Sequence, residues 1–159
     1  MFLRALCCLM VMALLIACGD TAGAPGPDAA DAAIDVVTTS FAGAYMGGYR
    51  ATRMRAAPSA ETTQEDEPAY NIAAVVTAPG RATFQVTETC AFVGTTSGAI
   101  STLEVGQRCT GFAGRSAQFT VRGGSAQLDG AGLTLTVTGD YSASGESGTY
   151  TWRYVGRRR

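Results

Sequence analysis

Between Leu133 and Tyr141 the chain alternates between two kinds of residue. Leu133, Leu135, Val137 and Tyr141 fall at one parity, and Thr134, Thr136, Thr138 and Asp140 at the other. A period of two admits little besides a half-buried strand, because successive side chains of an extended chain point to opposite faces. The pattern recurs. Ala117, Phe119 and Val121 alternate with Ser116, Gln118, Thr120 and Arg122, and Ala82, Phe84 and Val86 alternate with Thr83, Gln85 and Thr87. Tyr150, Trp152 and Tyr154 alternate with Thr149, Thr151 and Arg153. β-Branched and aromatic residues facing polar partners suit an antiparallel sheet with one buried face.

Turn residues separate these segments. Pro79-Gly80 divides Asn71–Thr77 from Ala82–Glu88 and predicts a hairpin. Gly123-Gly124 divides Ser116–Arg122 from Ser125–Asp129, and Asp129-Gly130 precedes the next strand. Ser97-Gly98 and Gly106-Gln107 frame a shorter strand near Ala99–Val105. A long first strand covers Ala42–Arg55, and its Gly43, Gly47 and Gly48 predict a bulge or a sharp bend. The expectation is an all-β domain of about eight strands, either a small antiparallel up-and-down barrel or a β-sandwich. Pairing the Gly-x-Tyr strand at Gly43 with the aromatic strand at Tyr150 would close the sheet and remove its exposed edges. Ala57–Pro68 breaks the pattern. It is acidic and bounded by prolines, so it reads as an exposed loop. Glu61, Glu65, Asp66 and Glu67 crowd together as calcium ligands do, but their spacing matches no EF-hand, and a solvated acidic loop is the reading kept.

The N-terminus is of another character. Arg4 precedes an apolar run, Ala5–Ala17, of about 13 residues, short of the ~20 that a membrane-crossing helix needs. Residues 1–17 therefore read as an export signal peptide. The run ends Leu15-Ile16-Ala17-Cys18, which resembles the lipobox of bacterial lipoproteins. The resemblance implies that Cys18 carries a diacylglyceryl group and becomes the mature N-terminus. In some bacteria an aspartate directly after that cysteine retains the protein in the inner membrane. Here Gly19 follows and Asp20 comes one place later, which points to the outer membrane, with its face left open. Residues 18–37 are rich in Ala, Gly and Pro and carry Asp20, Asp28, Asp31 and Asp35. Such a stretch has too little to bury to offset its ordering entropy, so a disordered tether is expected. The β domain is expected over 38–159.

Of the five cysteines, Cys7 and Cys8 belong to the signal and Cys18 to the lipid, leaving Cys90 and Cys109. An even remainder in an exported chain reads as a disulfide. The chain has no histidine, so neither a Ser-His-Asp nor a Cys-His arrangement can be built. Glu88, Glu104, Asp129, Asp140 and Glu146 are the candidates for paired carboxylate chemistry, but sequence spacing selects no pair among them. The expectation is no enzyme, no cofactor and no metal site. A net charge of −1 and three terminal arginines, Arg157, Arg158 and Arg159, make too small a footprint for nucleic acid. Binding of anionic lipid headgroups is the alternative use of those arginines, and a solvated tail is the reading kept.

Lipobox, Ala/Asp/Pro tether, the Phe41-Ala-Gly-Ala-Tyr45 opening, the cysteine pair and the Leu133–Tyr141 strand together resemble a group of bacterial lipoproteins with a small lipocalin-like barrel. In true lipocalins a Gly-x-Trp opens the domain; Gly43-x-Tyr45 has tyrosine there. The aromatic set Tyr45, Tyr49, Tyr150, Trp152 and Tyr154 either lines a ligand cavity or fills the core. Two functions follow. One is a non-catalytic structural or interaction module held on the envelope, its partners the membrane and an unknown envelope protein. The other is a lipocalin-like carrier of a small hydrophobic ligand. A transmembrane barrel is set aside because several strands are shorter than the ~9–11 residues of a crossing.

Overall fold

In the computed structural model, which describes residues 40–114 and 116–159, the alternating segments form nine antiparallel strands. They are β1 (Gly43–Ala57), β2 (Glu61–Ala78), β3 (Arg81–Thr87), β4 (Cys90–Ser97), β5 (Ile100–Leu103), β6 (Arg108–Thr110), β7 (Gln118–Asp129), β8 (Gly132–Ala143) and β9 (Glu146–Arg158). Apart from β5 and β6, neighbours in sequence pair in order, and β1 pairs with β9 from Tyr45↔Arg158 to Ala57↔Ser147. β5 and β6 share β7 as a partner. β5 lies against Ser125–Gln127 and β6 against Gln118–Thr120, so the two are halves of one interrupted stave. The result is a closed eight-stave barrel rather than a sandwich. The signal peptide, Cys18 and the tether over residues 18–37 lie outside the described residues.

The interruption between β5 and β6 is bridged by a side chain. Gln107 accepts from the Val93 N–H at 2.7 Å and donates to the carbonyls of Val93 and Glu104, both at 2.7 Å. Its amide satisfies backbone groups that a broken ladder would leave without partners.

Apolar residues of the alternating strands point inward. Leu133, Leu135, Val137 and Tyr141 are buried, whereas Thr134, Thr136 and Thr138 are partly exposed. A transmembrane barrel has the reverse arrangement. The first strand carries the expected bulge, a register shift between Gly47 and Tyr49. Gly47 is required by close approach. A Cβ there would sit 2.0 Å from the Val155 carbonyl oxygen of β9, so only glycine lets the closing pair meet.

Four expectations are corrected. Ala57–Pro68 is not a loop. The turn is confined to residues 58–60, and Glu61–Pro68 is the first half of β2. Its acidic residues are accommodated in a strand because arginines of β1 face them. Arg50 opposes Asp66, and Arg55 opposes Glu61. Gly123-Gly124 is not a turn but a bulge within β7, where the register shifts between Val121 and Gly123. A Cβ on Gly124 would lie 2.4 Å from the Thr136 carbonyl oxygen, so the glycine marks tight strand packing. The short strand near Ala99–Val105 is only Ile100–Leu103, with β6 as its continuation, and β4 precedes it without having been singled out. Finally, Arg157 and Arg158 are not a solvated tail. They close β9, and Arg158 donates to the Tyr45 hydroxyl at 3.0 Å while its guanidinium lies 5.5 Å from the centre of that ring.

Candidate functional site

The barrel interior is the first place to look, because an eight-strand barrel is just wide enough for its own side chains or for one small ligand. Its axis is occupied by aromatic rings. Tyr45, Tyr150, Trp152 and Tyr154 are buried, and Tyr49 packs against them half-buried. Trp152 and Tyr154 stack with centroids 5.9 Å apart, and Tyr49 lies 5.5 Å from Trp152. The central ring comes from a loop that sequence gave no reason to single out. Phe112, between β6 and β7, folds inward with its centroid 4.9 Å from Phe92, 4.9 Å from Phe119 and 5.3 Å from Trp152. The predicted bridge is present and holds this region. Cys90 of β4, fully buried, is bonded to Cys109 of β6, just before the inserted loop.

Phenols in this interior are held neutral. Burial pushes the Tyr70 and Tyr154 hydroxyls up to about 12. Burial, reinforced by Glu65, pushes Tyr150 beyond the usual phenol range, and burial with Glu65 and Glu67 nearby raises Tyr49. Taking a phenolate out of water disfavours its charged form. None of these groups is prepared to act as a base or nucleophile near neutral pH.

Polar side chains enter the barrel at the end that carries the β1–β2 and β8–β9 turns. Arg53 lies 3.4 Å from Glu65, donates to the Ala113 carbonyl, and stacks over Tyr141 at 5.1 Å and Tyr150 at 5.9 Å. Tyr150 donates to Glu65 at 3.1 Å. Arg55 bridges Glu61 and Glu146, the latter at 3.1 Å, and Arg50 pairs with Asp66 at 2.9 Å. Three of the four crowded acids of β2, Glu61, Glu65 and Asp66, are thus divided among three arginines, while Glu67 accepts from the Ala69 N–H at 3.3 Å. Among the described residues no group of three or more His, Cys, Asp or Glu is placed to hold a metal ion. The Arg53 Nε and the hydroxyls of Tyr141, Tyr154 and Ser101 are buried without a partner in the protein.

The other carboxylates singled out by sequence are not gathered into one site. Glu104 pairs with Arg81, Asp140 with Arg122, and Glu146 with Arg55. The concave features lie on the outer wall. A groove of about 790 Å³ runs beside Met46, Gln127, Asp129, Thr134, Val155 and Arg157. A second cleft, about 640 Å³, opens where β2 departs from β3, beside Tyr70, Ile72 and Val86.

No protein-family model, curated protein or solved structure matches the chain.

Proposed function

We propose that this chain is a lipid-anchored protein of the bacterial envelope, held through Cys18 at the outer membrane, whose barrel is a non-catalytic structural or interaction module. The observation that carries the reading is the occupied interior. Phe112, Trp152 and the buried tyrosines take up the space in which a barrel of this size would hold a ligand. Contact with other molecules then falls to the outer wall and the ends. The alternative, a lipocalin-like carrier of a small hydrophobic ligand, draws on the cleft beside Tyr70, Ile72 and Val86, which reaches the edge of the core.

Native mass spectrometry of the exported chain, released from detergent in the instrument, separates the two. The module predicts the polypeptide plus its anchor, less two protons for the Cys90–Cys109 bridge. A reproducible extra mass lost on denaturation would replace it with the carrier. Growth with labelled fatty acid tests the anchor: Cys18→Ser must abolish incorporation, and label entering the mutant would end the lipoprotein reading.

A further inference from the structure

Half of the ten arginines among the described residues are neutralised where they stand. Arg50, Arg53, Arg55, Arg81 and Arg122 each lie within an ion pair. Arg108 of β6 stands alone without a carboxylate partner among the described residues, and the other four exceptions lie in or just beyond one strand. Arg153, Arg157, Arg158 and Arg159 have no carboxylate partner among the described residues; Arg153 lies midway along β9 and the other three at its end. Antiparallel order places the end of β9 beside the start of β1, with Tyr45 opposite Arg158 and the Arg159 N–H donating to the Ala44 carbonyl at 3.0 Å. The chain enters the barrel here, at Ser40, whose carbonyl accepts from Arg158.

The same end exposes apolar side chains. Met46 and Val155 flank Arg157 on the outer wall. Around the rim, the β2–β3 hairpin presents Val75, 56% exposed, and Val76, and the β4–β5 turn presents Ile100, 52% exposed. The one carboxylate at the adjoining β7–β8 turn, Asp129, has no arginine partner among the described residues.

We propose that this end of the barrel, through Arg157, Arg159 and the exposed Met46, Val75, Val76 and Ile100, docks on the anionic headgroups of the bilayer that carries the chain. The proposal rests on the anchoring at Cys18 put forward above. Two observations select a lipid surface as the occupant. The charge is complementary, and the segment that leads to Cys18 joins the barrel at this end. A tethered domain meets its own bilayer at a high effective concentration, so weak contacts suffice. Each arginine near an anionic leaflet favours contact by roughly fivefold, and two by about 25-fold, within a screening length of ~8 Å in physiological salt. Exposed valine, isoleucine and methionine beside them suit the headgroup boundary.

The test uses the acylated chain reconstituted into vesicles of pure phosphatidylcholine or of phosphatidylcholine with a third phosphatidylglycerol, read by amide hydrogen exchange. Mass analysis of the N-terminal peptide comes first. A chain without acyl groups overturns the anchoring, independently of what the barrel end does. With acylation established, the proposal expects exchange at residues 75–80, 97–100 and 129–132 to slow about tenfold on the anionic vesicles alone. High salt should abolish the effect. Arg157→Glu with Arg159→Glu should abolish it too, while exchange in the β8–β9 ladder stays unchanged. Equal protection on both vesicles would overturn the proposal, as would protection that survives the double substitution. Protection already present in neutral detergent would also overturn it, by showing that the acidic segment before Ser40 covers this end instead.

Discussion

The two ends of the barrel are built from the same alternating strands and differ in nearly everything else. The far end, with the β1–β2 and β8–β9 turns, has its charges paired within the barrel. Its acids face arginines across strands, Phe112 is inserted into the core beneath them, and the Cys90–Cys109 bridge holds the adjoining staves. The end where Ser40 enters carries Arg157, Arg158 and Arg159 without carboxylate partners among the described residues, beside the paired Arg81, and apolar side chains without cover. One end stabilises the barrel and the other is left available. Charges paired across strands at partly exposed positions contribute little individually, on the order of 0–1 kcal/mol. The far end therefore draws most of its stability from the ring and the disulfide beneath the charges.

That contrast can be broken stepwise, beginning at the far end. Phe112→Ala empties the centre of the aromatic column and should cost about 3–5 kcal/mol, read by urea unfolding. Loss below about 1 kcal/mol would mean that the loop is not a structural plug. Replacing Cys90 and Cys109 by serine should cost roughly 3 kcal/mol, since the bridge closes a separation of 19 residues. Tyr150→Phe removes one partly buried hydrogen bond to Glu65 and should cost about 1 kcal/mol. At the entry end, Arg157→Glu with Arg159→Glu should change stability by no more than about 0.5 kcal/mol, because both side chains are exposed and unpaired. A large loss there would show that the entry end is as structural as the far end.

Alkali acts on the whole interior. The folded barrel raises the Tyr70 and Tyr154 phenols to about 12 from an ordinary 10.0. A raised phenol pKa favours the folded state fully below pH 10, and that contribution disappears as the pH climbs to about 12. Absorbance titration should therefore show part of the tyrosine ionisation delayed beyond pH 10 and coincident with unfolding. Complete ionisation of a still-folded chain near pH 10 would contradict the buried column.

Much of this was legible in the order of residues. Alternation at Ala82–Val86, Ala117–Val121, Leu133–Tyr141 and Tyr150–Tyr154 specified strands and their inner faces, because a strand's two faces are written directly into odd and even positions. Gly47 and Gly48 announced the bulge. The errors fell where local composition opposed the tertiary outcome. Glu61–Pro68 has the composition of a solvated loop, and only the arginines on β1 make it a tolerable strand. Gly123-Gly124 has the composition of a turn, and only the proximity of β8 makes it a bulge. No periodic signal marks Phe112, since a loop residue inserted into a core has no repeating neighbour to share its face.

By itself, then, the sequence determined an all-β domain, the pair of cysteines that bridge, and which side chains face inward. Each of these follows from chemistry within a few residues or from counting. Tertiary structure alone decided that the sheet closes as a barrel, that the aromatic set meets Phe112 on its axis, and that Arg157, Arg158 and Arg159 gather where the chain enters the barrel. These depend on which strands become neighbours, and in an antiparallel barrel the register between Tyr45 and Arg158, 113 residues apart, sets what the entry end presents.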